Sequence, residues 1–149
     1  MKKLLGMILT LALAAGLAWP VYAESSTVPP EVTAHAYLVM DAQTGQVLVQ
    51  KGGAERNYPA SITKIMTLAL AMEKCGGDMT QQVTVSPDAV YSLEAGSSHV
   101  ALQPGEVVSL NDLFHATILA SANDAANVLA EYTAGSMEAF VELMNAKAA

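Results

Sequence analysis

The sequence predicts an α+β fold, a β-hairpin followed by a run of helices. Three observations carry this expectation. Residues 35–41 and 46–50 are strand-like and flank the turn signal Ala42-Gln43-Thr44-Gly45. From Ser61 to about Cys75 the chain is apolar at most positions, and Gly76-Gly77 stops it. From Ser109 onward, helix start and stop signals recur at Ser109, Ser121-Ala122-Asn123, Gly135 and Ser136.

Taken in order, the 149-residue chain opens Met1-Lys2-Lys3, then runs almost wholly apolar from Leu4 to Ala18. Val21-Tyr22-Ala23 supplies small residues at the first and third positions. A basic start, a short apolar run and an Ala-x-Ala-like end predict a signal peptide over residues 1–23, cleaved after Ala23, and therefore an exported protein. The run is short for a membrane span, which needs about 20 residues, and Pro20 breaks a helix there. Without residues 1–23 the chain holds five basic and fourteen acidic residues, a net charge of −9. Such a chain lacks the basic footprint of a nucleic-acid binder and is repelled by anionic lipid.

Residues 24–34, with Pro29-Pro30 and small polar residues, read as a leader. The hairpin follows. In its second strand, Gln46-Val47-Leu48-Val49-Gln50, polar ends flank an apolar centre, as in a half-buried strand. The segment opened by Ser61 carries Ile62, Ile65, Met66, Leu68, Ala69, Leu70, Ala71 and Met72, so apolar residues lie on nearly every helical face. A helix of that kind is expected to be central and buried all round. Val83-Thr84-Val85 reads as a short strand, and residues 92–106 as loop. Ser109-Leu110-Asn111-Asp112 resembles a capping box ahead of a helix to about Ala120. Further helices run from about Asp124 to Tyr132, and from near Ser136 to the last residue.

The lone Cys75 allows no internal disulfide and reads as a buried thiol at a helix end. His35, His99 and His115 are not spaced with other ligands as in a metal site. Neither a metal, a cofactor nor a Ser-His-Asp triad is expected.

Chemistry gathers at two motifs. In Ser61-Ile62-Thr63-Lys64 the serine and lysine are three residues apart and share one helical face. Ile62, Ile65 and Met66 are expected to keep water from the amine, which favours its neutral form. A neutral amine can take the serine proton, giving a nucleophile and base without histidine. Ser121-Ala122-Asn123 lies between two helices, where a serine can relay a proton and an asparagine can both donate to and accept from a substrate amide. Each motif taken singly also reads as ordinary helix capping. In combination and in this order they match the Ser-x-x-Lys and Ser-x-Asn motifs of penicillin-binding proteins and class A β-lactamases.

The sequence resembles the low-molecular-weight D-alanyl-D-alanine carboxypeptidases, peptidase family S11. The resemblance rests on Asp41-Ala42-x-Thr44-Gly45-x-Val47-Leu48, Pro59-Ala60-Ser61-x-Thr63-Lys64-Ile65-Met66-Thr67, Leu102-x-x-Gly105-Glu106, Ser121-Ala122-Asn123-Asp124-Ala125 and Phe140-Val141-x-x-Met144-Asn145, and covers roughly residues 35–147. It implies the serine β-lactamase/DD-peptidase-like fold, an antiparallel sheet packed with helices plus an all-helical subdomain, of which residues 35–149 would be the N-terminal part. It implies that Ser61 attacks the bond between two terminal D-alanines of a peptidoglycan stem peptide, with its backbone N–H as one oxyanion donor. Lys64 would accept the serine proton, Ser121 would pass a proton to the leaving amine, and Asn123 would hold the substrate backbone and help position Lys64. β-Lactams would acylate Ser61 as covalent inhibitors. The family's third motif, Lys-Thr-Gly, does not occur, since Lys147 is the one lysine after Ser121. Residues 24–149 alone are therefore expected to be weakly active or inactive, and membrane association is expected only through a C-terminal segment that this sequence lacks. Two other readings stand beside this one. A serine β-lactamase would turn penicillin over rapidly, whereas a non-catalytic peptidoglycan or β-lactam binding module would have a natural stop after Ala149.

Overall fold

A computed structural model describes residues 31–149, so the expected signal peptide and most of the expected leader lie outside the described residues. The chain divides into two units, one ending at Arg56 and one spanning Asn57–Ala149.

The first unit holds the expected hairpin. Strands β1 (Tyr37–Met40) and β2 (Val47–Lys51) pair antiparallel, with Tyr37 opposite Lys51 and Val39 opposite Val49. The register shifts between Val39 and Met40, where the chain enters the turn. Asp41 builds that turn. Its Oδ1 accepts from the backbone N–H groups of Gln43 and Thr44 and from the Thr44 hydroxyl, at 3.0, 2.7 and 2.8 Å. These bonds hold its carboxyl below the usual carboxylate range, the Thr44 N–H contributing most.

The second unit is mainly helical. A 3₁₀ turn over Ala60–Ile62 leads into α1 (Thr63–Cys75), followed by β3 (Gln82–Thr84), α2 (Pro87–Tyr91), β4 (Val107–Ser109), α3 (Leu110–Leu119), α4 (Asn123–Ala134) and α5 (Met137–Ala148). Strands β3 and β4 form an antiparallel pair, with Val83 opposite Val108. Helices plus small antiparallel strand pairs are the α+β content that the sequence predicts. Sequence periodicity misses β4 and α2, because three to five residues carry too little of either period to register.

Helix ends follow local chemistry. Ser86, Ser109 and Ser136 each accept a bond from the backbone N–H three residues on, capping α2, α3 and α5. The Ser109 hydroxyl also donates to Asp112 Oδ2 at 2.6 Å. Gly76 and Gly135 close α1 and α4 in the left-handed conformation, where a side chain would be strained.

The centre of the unit is α4 rather than the Ser61 helix. It packs against α1, α2, α3 and α5, and buries Asp124, Ala125, Val128, Leu129 and Ala130. Small residues on this helix let its neighbours approach closely, while Leu110, Leu113, Leu129 and Val85 fill the space between. Each such side chain, fully buried, is worth about 1.5–3 kcal/mol. The expectation that α1 is covered on all sides is corrected by the structure. Thr67, Leu70, Ala71 and Cys75 are buried, whereas Ile62 and Ile65 are 67% and 62% exposed and Met72 is also exposed. The helical partners of α1 within this unit cover one of its two apolar stripes. Among the described residues no helix is long and apolar enough to cross a membrane.

Candidate active site

Ser61 sits in the 3₁₀ turn that runs into α1, one residue after Ala60, which has a φ of +49°. Left-handed backbone is unfavourable for alanine, so Ser61 is presented from a strained corner. The two residues of the second motif are presented by the α3–α4 junction. Ala120 ends α3, Ser121 takes a φ of +53°, and Ala122 is extended and opens α4. The Ala122 N–H turns back to Ala116 O at 3.2 Å, and the Ala122 side chain is fully buried.

Neither motif serves as a cap. The cap positions of α1 and α4 are Ile62 and Ala122, and neither supplies a side-chain cap. Instead, the Ser121 hydroxyl donates to Ser61 Oγ at 2.8 Å, across a sequence separation of 60 residues. Lys64 is half-buried and lines, with Ser61 and Asn123, a cavity of about 370 Å³ whose lining also includes Phe140 and Met144. The Lys64 ammonium makes no hydrogen bond with the described residues. The expected shield is not formed by Ile62 and Ile65, which are exposed, while the cavity that Lys64 lines also has the apolar Met137, Phe140 and Met144 in its lining.

Asn123 is held from behind. Its backbone N–H and its side-chain Nδ2 both donate to Ser98 O, at 2.8 and 3.0 Å. This fixes which way the amide points and leaves Oδ1 and the second Nδ2 hydrogen uncommitted. Asn127, one turn further along α4, also lines the cavity and donates through Nδ2 to Ala89 O and Ser92 Oγ, at 3.0 and 3.3 Å, tying α2 to α4. No motif in the sequence singles out Asn127 or Ser98. The one available signal was a polar side chain, Asn127, inside an otherwise alanine-rich helical run.

Among the described residues there is no cluster of side chains suited to a metal ion. Cys75 is a buried free thiol whose Sγ donates to Met72 O at 3.4 Å, apart from the motif residues. The expected Ser61–Lys64 hydrogen bond is not formed; two hydroxyls in contact, at a cavity that an amine and an oriented amide also line, nevertheless suit acyl transfer to a serine.

The class that this fold and these motifs define agrees with the comparisons to known proteins. The chain belongs to the D-alanyl-D-alanine carboxypeptidase family, whose profile matches residues 23–149. It is 41% identical over 129 residues to the carboxypeptidase DacC of Escherichia coli, an alignment covering 83% of this chain and 32% of that protein. It is 32% identical to the carboxypeptidase DacF of Bacillus subtilis, covering 99% of this chain and 39% of that one. The chain thus spans about a third of the length of the curated relatives it matches. Among solved structures, penicillin binding protein 6B from Escherichia coli superposes with a TM-score of 0.74 at 37% identity, covering 84% of this chain and 41% of that one. A D-alanyl-D-alanine carboxypeptidase from Mycobacterium tuberculosis gives a TM-score of 0.68 at 30% identity, over 83% of this chain and 45% of that one.

Proposed function

We propose that this chain supplies the nucleophilic half of a serine-type D-Ala-D-Ala carboxypeptidase. The enzyme removes the terminal D-alanine from peptidoglycan stem peptides. The observation that carries the reading is the 2.8 Å bond between Ser121 and Ser61, formed beside a cavity that Lys64 and Asn123 also line. Family membership supplies the substrate class.

In this mechanism Lys64, once neutral, takes the Ser61 proton as the oxygen attacks the penultimate D-alanine carbonyl. The oxyanion is met by the Ser61 N–H, a donor worth a few kcal/mol in the transition state. The C–N bond then breaks, and the departing amine receives a proton relayed through Ser121. D-Alanine leaves, and water hydrolyses the ester on Ser61, returning a proton to the Ser61 oxygen. Asn123 uses Oδ1 to orient the substrate amide or the Lys64 ammonium. β-Lactams acylate Ser61 and persist. The reaction requires no metal or cofactor. The protein acts outside the cytoplasm after removal of residues 1–23, and residues 24–149 alone release D-alanine weakly or not at all.

The test is a covalent adduct between the complete gene product and a fluorescent penicillin, read by intact mass. A single adduct is expected, lost in Ser61→Ala and formed far more slowly in Lys64→Arg, whose guanidinium stays protonated. An undiminished adduct in Ser61→Ala removes that residue as the nucleophile.

A further inference from the structure

We infer that Asp124 is a positioning residue for this site, acting through the segment 98–102 on Asn123; the inference rests on the carboxypeptidase reading above. Asp124 is 1% exposed, at the start of α4 and next to Asn123 in sequence. Its carboxylate makes no salt bridge among the described residues and is met by backbone N–H groups. Val100 N–H lies 3.2 Å from both oxygens, Leu102 N–H donates to Oδ2 at 3.0 Å, and Ala125 N–H donates to Oδ1 at 2.9 Å. Two of these donors converge because Ala101 between them is left-handed, with a φ of +61°. Successive N–H groups flanking a left-handed residue form a concave anion nest. Here the nest holds a side chain of the chain itself. The strained Ala101 backbone is kept by the carboxylate that its conformation serves.

The same segment is tied at its other end to Asn123. Ser98 O accepts both the backbone N–H and the Nδ2 of Asn123. Segment 98–102 is therefore fastened at two points to two adjacent residues, 123 and 124. If the nest opens, Ser98 O is free to shift, and the Asn123 amide loses the acceptor that fixes its orientation. The amide then turns, while the serine pair, which depends on the Ser121 backbone, stays in place. Asp124 does not itself line the cavity, so its effect passes through Asn123.

The distinction from a purely structural buried carboxylate is testable. Asp124→Asn keeps the size of the side chain but replaces one acceptor oxygen by a donor. In the complete gene product, active molecules are counted by saturating penicillin label, and the acylation rate constant is measured per labelled molecule. Misplacing one reacting group by about an ångström costs up to roughly 100-fold. A fall of roughly tenfold or more in that rate constant, with Val100 and Leu102 amide exchange accelerated, supports the inference. A lowered labelling amplitude with an unchanged rate constant means a role in folding alone and overturns it. Should Asp124→Asn fail to fold, Val100→Pro removes one nest donor at an exposed position. An unchanged rate constant in folded Val100→Pro overturns the inference equally. A parent protein that takes no penicillin label at all refutes the carboxypeptidase reading itself, and with it this inference.

Discussion

Ser121 carries a measurable conflict between stability and chemistry. Its φ of +53° is unfavourable for any residue with a Cβ, by roughly 1–2 kcal/mol. Glycine at the same position escapes that strain but gains unfolded-state entropy, which gives back about 0.4–1 kcal/mol. Compared with Ser121→Ala, the Ser121→Gly protein is thus expected to be more stable by about 0.5–1 kcal/mol. Both substitutions lose the 2.8 Å bond to Ser61, so that loss cancels in the comparison. For a unit of this size the difference corresponds to roughly 3–6 °C in melting temperature. Thermal unfolding followed by far-ultraviolet circular dichroism measures it, and penicillin labelling of the same samples should be slowed in both variants. A glycine variant no more stable than the alanine variant would refute the strain argument. Full-rate labelling in either protein would refute the chemical role instead, since it would show that the second hydroxyl is dispensable. Natural proteins that hold strain at a reactive site commonly show this trade of stability for activity.

Other outcomes follow from the packing and the titrating groups. Leu129→Ala, at a fully buried position in α4, should cost about 2–5 kcal/mol in urea unfolding, while the exposed Ile118→Ala should stay within about 0.5 kcal/mol. Burial raises the Tyr132 phenol above its ordinary value, helped by Cys75 and Asp78 and opposed by its bond to Gln81 Oε1. The unfolded tyrosine ionises first, so stability is intact below about pH 10 and falls as pH climbs toward the folded value; Tyr132→Phe should flatten that alkaline decline in a pH-dependent melt. Asp41 behaves in the opposite sense. Its lowered folded value means that its support of the hairpin turn is present above the ordinary carboxylate range and disappears as pH falls through the folded value. Amide exchange at Thr44 should accelerate with that acid titration, and in Asp41→Ala it should be fast at every pH.

Much of this molecule was legible from local signals. The hairpin could be read because Thr44-Gly45 follows Asp41 at a spacing where one carboxylate can hold the turn. Helices α3, α4 and α5 could be read because serine caps and Gly135 mark their ends. The Ser-x-x-Lys and Ser-x-Asn motifs were visible because each occupies a few consecutive residues. Three features were not legible. Nothing local says which apolar stripe of α1 is buried, since its composition is apolar on most faces and only its neighbours distinguish them. Nothing local chooses between capping and pairing for Ser121, because its partner lies 60 residues away. Asp124 reads as an ordinary helix-opening acid until segment 98–102 folds over it from 22 to 24 residues away.

The sequence by itself determined the hairpin, the longer helices, most of their end signals and the residue types available for serine chemistry, because these depend on interactions between near neighbours along the chain. The tertiary structure alone decided that Ser121 meets Ser61, that α4 rather than α1 forms the centre, and that a buried carboxylate fastens the segment behind Asn123. Those outcomes depend on contacts between residues far apart in sequence, where close packing and the need to satisfy buried polar groups select one arrangement from many that the local signals allow.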